Sequence, residues 1–409
     1  MDIDWPLAIS GMGLINPLGK GVTDFEQCLV KDEFALAPIS HFDATDLNIR
    51  FGGEVLDFDP SMYMSLRLVR KSDRFAHLAI AAISEALAIS GWNETEDPQF
   101  RSTGLFVGNN SGGWDICERG FREYYGKAPS LINPFQATAW FPAAAQGFSS
   151  IRFGITGYSK SFASDRCSGM HALFYAARMI RWGRCRRAVV AGTEAPLTRL
   201  GVLGMESTGE LSHATNVKMS YSAYHKDSSG LVLGEGSAAI TVESLDELVD
   251  RGERPKALIY GVSLVHDRNK NGLAKYVYDL ISHAGISANR VQVVYVEAAG
   301  TYDKDKYESE QLQCVFRNHK PIFSAPKLRW GHQYGANALT EIICAILGFR
   351  GRYIPGSTQE LSSEMYVAPT PEYFDMSHYF TLVIAGSRNN DYGVCLLGSP
   401  DSIRFLERI

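Results

Sequence analysis

The fold is decided by one stretch of the sequence, Ser164-Asp165-Arg166-Cys167-Ser168-Gly169-Met170-His171-Ala172-Leu173, which continues to Gly183. After the polar opening, apolar side chains recur at Met170, Leu173 and Ala177, which is the spacing of an amphipathic helix. A short apolar strand follows over residues 188–192. Enzymes that attack acyl groups present a nucleophile on this kind of turn, where the helix N-terminus favours a negative sulfur or oxygen. The stretch therefore predicts an acyl-transfer scaffold.

Composition places the chain among ordinary globular proteins. Its 409 residues are 45% hydrophobic and 21% charged, enough for two to three domains or one large duplicated α/β body. A net charge of -5 gives no reason to expect nucleic acid or an anionic membrane as a partner. The seven cysteines are scattered, with no CxxC and no metal-ligand spacing, and no secretory signal precedes them. These features predict reduced thiols in the cytoplasm. No metal or organic cofactor is implied. No apolar run approaches ~18 residues, so no membrane span is expected.

Predicted strands and helices alternate along the whole chain. The strands are expected at 7–15, 103–108, 188–192, 238–242, 257–265, 291–296, 380–385 and 393–398. Helices are expected within 63–91 and at 114–125, 170–183, 245–251, 273–285, 307–317 and 335–347. Because the same alternation occurs twice, the sequence predicts a duplicated, layered α/β fold. The predicted halves are residues 1–252 and 253–409, joined in one compact body.

Three separate motifs resemble those of the β-ketoacyl synthases of the thiolase fold. They are Ile9-Ser10-Gly11-Met12-Gly13, Gly234-Glu235-Gly236, and Lys327 followed five residues later by His332. The resemblance covers essentially the whole chain and implies a layered αβαβα architecture. Active relatives use a turn cysteine as acyl nucleophile, two histidines that stabilise the thioester enolate and its oxyanion, and a lysine that supports the second histidine.

The register of the central turn indicates that the nucleophile is missing. In active relatives the cysteine stands five residues before a His or Asp and seventeen before a Gly. Counting back from His171 and from Gly183 both gives Arg166, so Cys167 lies one place past the nucleophile. One residue rotates a helical side chain by about 100°, so Cys167 is expected to be a small buried residue. Arg166 is expected to form an internal ion pair or to bond nearby carbonyls.

A second departure points the same way. Where active relatives have His-Gly-Thr after the strand, this chain has Ala299-Gly300-Thr301, and alanine can neither donate a hydrogen bond nor move a proton. The Gly-rich loop of active relatives is also replaced, by residues 387–392. Lys327 and His332 match their motif but lack a nucleophile to serve. We therefore expect a degenerate site at Arg166, Ala299, Lys327 and His332, with no catalytic residue.

As a synthase-like chain without a nucleophile, the protein resembles the chain length factors of type II polyketide synthases. Local matches extend this resemblance at Gly112-Gly113-Trp114-Asp115, Phe121-Arg122, Ala139-Trp140-Phe141 and residues 151–154. The resemblance implies a heterodimer, or a dimer of heterodimers, with a catalytic ketosynthase, acting on chains carried by an acyl carrier protein. Chain length factors usually carry Gln at the turn tip, so the role of Arg166 is not given by the resemblance.

The resemblance also assigns a tunnel and an interface. Trp114, Cys117 and Phe121 share one face of a predicted helix, which read alone would be core. The resemblance makes them, with Leu200, the wall that stops the growing chain. Candidates for the interface are Phe135, Trp140 and Phe141. The expected product is an aromatic precursor of octaketide or anthraquinone type, with aryl polyene pathways as the alternative.

Two other functions are compatible with the sequence. The chain could be an active β-ketoacyl synthase using Cys167, which requires a one-residue slip at the turn and a replacement for the histidine lost at Ala299. It could also be a thiolase-fold scaffold without a tunnel. The basic run Arg178, Arg181, Arg184, Arg186 and Arg187 is read as solvated surface, with contact to an acidic carrier protein as its alternative.

Overall fold

The computed structural model describes residues 6–92, 97, 100–267, 272–357, 372–373 and 380–402. Within them the strands are β1 Leu7–Asn16, β2 Gly19–Lys20, β3 Ala37–Pro38, β4 Phe51–Gly52, β5 Gly104–Gly108, β6 Ser159–Phe162, β7 Arg187–Glu194, β8 Gly236–Ser244, β9 Ala257–His266, β10 Val291–Tyr295, β11 Ile322–Ser324, β12 Tyr353–Ile354, β13 Glu372–Tyr373, β14 Phe380–Gly386 and β15 Asp391–Gly398. The helices are α1 Val22–Val30, α2 Leu66–Val69, α3 Arg74–Ser90, α4 Trp114–Gly126, α5 Gln136–Ala139, α6 Ala144–Phe153, α7 Ser168–Arg181, α8 Arg199–Glu206, α9 Leu245–Asp250, α10 Gly272–His283, α11 Tyr302–Val315 and α12 Asn337–Gly351.

One continuous mixed sheet connects the two halves of the chain. Its order is β11-β10-β14-β15-β9-β1-β8-β7-β5-β6, and β2 pairs with β1. The halves meet where β1 and β9 run antiparallel over only three residue pairs, from Leu7 opposite Ile259 to Ile9 opposite Ala257. A joint this short lets the two sheet segments face each other across a helical layer.

The layers follow from which helix faces are apolar. Helix α12 is buried on every side, from Asn337 to Phe349, as expected for a helix packed between two sheets. Together with α7 it lies between β5, β7 and β8 on one side and β9, β14 and β15 on the other. Helices α3 and α6 cover one outer face, and α10 and α11 the other. The predicted thiolase-like αβαβα architecture is confirmed.

Most predicted elements are present, with differences where local patterns are weak. Helix α11 begins at Tyr302, five residues before the predicted start, because polar residues dominate its first turns. Helices α1, α6 and α8 and the edge strand β6 were not predicted. Helix α8 contains two glycines, and β6 has only four residues, so neither shows a clear period. The division of the chain after residue 252 stays a prediction.

Candidate functional site

The central turn is as sharp as the sequence predicts. Between β6 and α7 the backbone of Asp165 is left-handed, with φ 53°, a conformation that aspartate tolerates better than most residues. The Ser168 hydroxyl donates to Asp165 O (2.6 Å) and accepts from Ser164 N (2.9 Å), which closes the turn at the start of α7. The next residue, Arg166, therefore stands at the tip.

Arg166 is buried inside the protein, with 1% of its surface exposed. Its Nε donates to Gly386 O (2.9 Å) and lies 3.1 Å from Glu297 Oε1, and its Nη1 lies 3.6 Å from Glu210 Oε1. The expected ion pair and carbonyl hydrogen bond are both present. A guanidinium held between two carboxylates stays cationic and offers no nucleophile.

Cys167 lies beside this centre, with its side chain against β14 and β15. It is fully buried, and its Sγ lies 3.4 Å from both Ala385 O and Asp391 O. Burial raises the pKa of the Cys167 thiol well above its usual value, and the nearby Glu297 adds to the effect. The thiolate is the nucleophilic form of cysteine, so a thiol held protonated against two carbonyl oxygens is poorly suited to acyl chemistry.

Lys327 is used entirely for internal contacts. Its Nζ donates to Val296 O (2.8 Å) and Glu297 O (2.7 Å) and forms an ion pair with Glu341 at 3.0 Å. All three partners are buried. Lys327 therefore anchors the end of β10 to α12, across the middle layer of the fold.

His332 has a fixed tautomer. Its Nδ1 accepts from Tyr334 N (3.0 Å), so its Nε2 carries the proton and donates to Glu297 Oε1 (3.1 Å). Burial lowers the pKa of His332, which keeps the ring neutral. Ala299 is buried in the turn after β10 and adds no polar group. Arg166, Lys327 and His332 therefore all contact Glu297, and Ala299 follows Glu297 by two residues. That these four positions form a degenerate site stays a prediction.

Glu297 is the residue that holds this centre together, and the sequence motif gave it no role. Burial alone would raise the pKa of its carboxyl group, but His332, Lys327 and Arg166 together lower it to about 2. Its second oxygen accepts from Gly386 N at 2.9 Å. Glu297 is thus an ionised carboxylate satisfied from three sides. The signal available in the sequence was its place two residues before Ala299, the position predicted to have lost its histidine.

The loop that replaces the Gly-rich loop is tied to the turn. Arg388 N donates to Asp165 Oδ2 (2.7 Å), and Ser387 N donates to Asp391 O (2.6 Å). With the bond from Arg166 to Gly386 O, both residues of the turn hold this loop. The arrangement closes the site from that side.

The Trp114–Phe121 face of α4 is not core. The buried residues of α4 are Ile116 and Gly120, whereas Cys117 is half-buried and Phe121 is 47% exposed. Leu200 lies on the neighbouring helix α8, and its backbone N–H donates to Glu118 Oε2 at 2.9 Å. The four predicted wall positions are therefore brought together on two adjacent helices.

Two apolar depressions are both lined in part by the segment 132–140, which follows α4. The smaller, of about 470 Å³, includes Cys117, Phe121 and Trp140 in its lining. The larger is a groove of about 1030 Å³ between α2 and α6, lined in part by Phe135, Phe148 and Ile151. Trp140 and Phe141 remain 42% and 49% exposed, with their ring centroids 4.6 Å apart. Of the three predicted interface residues, Phe135 lines the larger groove, Trp140 lines the smaller depression, and Phe141 is exposed next to Trp140.

The basic run that begins in the last turn of α7 does not form one surface. Arg187 is buried, lies 4.6 Å over the Trp92 ring and pairs with Asp97. Arg186 is exposed and pairs with Glu247 at 3.0 Å. The reading as solvated surface holds for the exposed members and is wrong for Arg187.

Among the described residues, no group of three or more His, Cys, Asp or Glu side chains could hold a metal ion. No helix in the same residues is long and apolar enough to cross a membrane.

Two family profiles match the chain, one over each half. The profile described as Beta-ketoacyl synthase, N-terminal domain, matches residues 4–247, and the corresponding C-terminal domain matches residues 262–359. The chain belongs to the β-ketoacyl synthase family. Within that family it is 29% identical over 359 residues to the tetracenomycin polyketide synthase ketoacyl synthase beta subunit of Streptomyces glaucescens, covering 86% of this chain and 87% of that one. It is also 29% identical to the 3-oxoacyl-[acyl-carrier-protein] synthase 2 of Coxiella burnetii, over 85% and 87% of the two chains.

Solved β-ketoacyl synthases share the fold. The ishigamide ketosynthase/chain length factor superposes with a TM-score of 0.86 at 22% identity, covering 97% of this chain and 99% of that chain. A β-ketoacyl synthase from Burkholderia phymatum gives the same TM-score at 19% identity, with 97% and 100% covered. A type II polyketide synthase ketosynthase, solved with its acyl carrier protein, gives 0.83 at 18% identity. The predicted resemblance to type II polyketide synthase subunits is confirmed.

Proposed function

We propose that this chain is the chain length factor of a type II polyketide synthase. It pairs with a catalytic ketosynthase and limits the length of the poly-β-ketone that grows on an acyl carrier protein. The observation that carries the proposal is the buried Arg166, which fills the nucleophile position and is ion-paired to Glu297. A subunit built this way contributes shape and contacts, while its partner supplies the acyl chemistry.

The exposed apolar residues support a partner subunit. Phe135, Trp140 and Phe141 border a face that this chain leaves open to water, next to a groove of about 1030 Å³. Obligate interfaces typically bury more than ~2,000 Å² and are apolar at their centre. We propose that the ketosynthase covers this face, and that the complex contacts the acyl carrier protein as in the relatives named above.

The stripe of Trp114, Cys117, Phe121 and Leu200 supports control of chain length. These side chains lie on α4 and α8 outside the fully buried core, and two of them, Cys117 and Phe121, line a cavity of about 470 Å³. Each two-carbon extension needs more room, and ~1–3 kcal/mol of overpacking disfavours the next one. We propose that this stripe is the tunnel wall, with a product of octaketide size and aromatic type.

The test is acyl transfer to the assembled pair. The chain is co-expressed with its ketosynthase and supplied with malonylated acyl carrier protein, and intact-mass spectrometry then shows which subunit carries an acyl adduct. We expect the adduct on the ketosynthase alone, unchanged by Cys167→Ala in this chain. An adduct on this chain that Cys167→Ala abolishes would make it a condensing enzyme.

Product analysis tests the tunnel separately. We expect Trp114→Ala to shift the products towards longer chains, because removing the indole leaves room for further extensions. Unchanged product length in a complex of normal activity would favour a scaffold subunit without a tunnel.

A further inference from the structure

Gly120 is a buried glycine in the interior of helix α4. Glycine destabilises a helix interior relative to alanine, because it loses more conformational freedom on folding. A Cβ atom at this position would lie 1.5 Å from Oε1, 2.2 Å from Cδ and 2.5 Å from Nε2 of Gln136. Position 120 therefore has to lack a side chain for as long as the Gln136 amide occupies its place.

The side-chain amide of Gln136 makes no hydrogen bond within this chain. Gln136 begins helix α5, and its Oε1 is buried without a hydrogen-bond partner among the described residues. Its Nε2 is not buried, and it too makes no hydrogen bond in that part of the chain. Unpaired amides of this kind are rare in folded proteins, because an unmade hydrogen bond is costly. The partner of this amide is therefore to be sought outside the chain.

Gln136 lines the cavity of about 470 Å³ described above. Most of the lining is apolar and includes Cys117, Phe121 and Trp140. The other amide of the lining is engaged in the turn before α5, where Asn133 Oδ1 accepts from the backbone N–H of the residue two places on, at 2.9 Å. In mostly apolar ligand sites, the few polar groups fix the orientation of the ligand. The Nε2 of Gln136 is the free amide donor of this lining.

We propose that Gln136 is a specificity-determining residue that selects an unreduced chain. Its Nε2 donates to one ketone oxygen of the poly-β-ketone, whose carbon backbone lies against the apolar lining. The inference rests on the proposed function and adds to it a residue that reads the chemistry of the chain as well as its length. A reduced chain fills the same cavity without an acceptor and leaves the amide unpaired, so the site discriminates against it.

The test measures which chains are extended by the pair of this protein with its ketosynthase. Chains of equal length are loaded on the acyl carrier protein, each with a single ketone at a different carbon, and a fully saturated chain is the reference. Malonylated carrier protein supplies the extender. For the ketone position that reaches Gln136, kcat/KM of the next extension should be about tenfold higher than for the saturated chain. A parent pair that favours no ketone position would overturn the inference.

Two variants should remove this preference by different routes. Gln136→Leu keeps a side chain of similar size without the donor, whereas Gly120→Ala leaves Gln136 unchanged and displaces its amide. In both, the chosen ketone chain and the saturated chain should be extended equally well. The matched control is Gly126→Ala, at the end of α4, where an added Cβ would meet nothing within 4 Å and the preference should remain. A preference retained by Gln136→Leu would overturn the role of Gln136.

A spectroscopic readout covers the case in which Gln136→Leu pairs poorly. The ketone of the preferred chain is labelled with ¹³C, and its infrared stretch is recorded in the complex. A hydrogen bond from Gln136 lowers that frequency, and Gln136→Glu, which has nearly the same shape but ends in an acceptor-only carboxylate, should raise it again. A frequency in the parent complex equal to that of the free chain would contradict the hydrogen bond.

The outcomes separate the inference from the function beneath it. Phe121→Ala enlarges the same cavity and should lengthen the products if the cavity belongs to the tunnel. If Phe121→Ala lengthens the products while Gln136→Leu keeps the ketone preference, the role of Gln136 is wrong and the tunnel stands. If neither variant changes anything in an active pair, the cavity is not part of the tunnel, and the inference fails with it.

Discussion

The buried centre around Arg166 and the exposed face around Trp140 differ in the contacts that their side chains make within this chain. At the centre, Arg166 has Glu297 and Glu210 as counter-charges, and Lys327 has Glu341. At the face, large aromatic side chains remain in water, among them Tyr125 at 80% exposure. The charges of the centre have counter-charges within this chain, whereas the aromatic side chains of the face are left uncovered by it.

The difference shows which region can still carry function. The charged side chains of the centre already have counter-charges, so none of them is available as a nucleophile. Exposed apolar patches of this kind mark interaction sites, because few monomeric proteins leave them uncovered. If this contrast is right, changes at the centre alter stability, and changes at the face alter association and product.

The largest effect should come from removing the central cation. Arg166→Ala leaves Glu297 without its nearest guanidinium, and breaking a buried pair typically costs 3–5 kcal/mol. We expect a loss of that order, about 3 kcal/mol, in the free energy of unfolding measured with denaturant. Arg186→Ala, which breaks an exposed pair with Glu247, is the control and should cost less than about 1 kcal/mol. Equal losses in the two variants would mean that the buried ion pair contributes no more to stability than the exposed one.

The same centre predicts how stability depends on pH. The pKa of Glu297 falls from the usual 4.5 to about 2 in the folded chain, so the folded state binds fewer protons than the unfolded state between those values. The contribution to stability, about 3 kcal/mol, is complete above pH ~4.5 and is lost as the pH falls towards 2. Arg166→Gln should move the acid-unfolding midpoint to higher pH, which circular dichroism can follow. A midpoint that does not move would mean that Arg166 contributes nothing to the ionisation of Glu297.

At the exposed face the expected effect is on binding. Trp140→Asp introduces a charge where the ketosynthase is proposed to lie, and central aromatic residues of interfaces are worth ~2 kcal/mol or more. The dissociation constant of the pair should rise at least about 30-fold, with the stability of this chain unchanged. Tyr278→Asp, at an exposed tyrosine on α10, is the matched control for the added charge. Equal affinities of the two variants, measured by sedimentation, would place the interface elsewhere.

The smallest effect concerns Cys167. Its side chain packs in the core, and Cys167→Ala removes one buried sulfur at a cost of about 1 kcal/mol in the free energy of unfolding. Polyketide formation by the assembled pair should be unchanged. A variant that keeps its stability but stops product formation would return Cys167 to the role of nucleophile.

The sequence predicted what depends on periodicity and register. The strands and helices of the layered core follow from apolar spacing, and the position of Arg166 follows from two fixed distances, to His171 and to Gly183. Even the kind of contact that Arg166 makes was expected, because a buried guanidinium must find carboxylates or carbonyls.

The identity of the partners could not be predicted. Glu210 lies 44 residues and Glu297 131 residues after Arg166, and only the folded chain brings them together. The burial of Arg187 was missed because its partners, Trp92 and Asp97, come from a segment more than 80 residues earlier.

If the chain is the proposed non-catalytic subunit, the ion pair between Arg166 and Glu297 also makes a return to catalysis difficult. A single mutation that restored cysteine at position 166 would leave a buried carboxylate with one cation fewer, in a protein that still has Ala299 where relatives have histidine. Such a mutant would be less stable without being active, so selection would remove it before a second change could occur. Under the proposed function, Arg166 thus favours retention of the non-catalytic role.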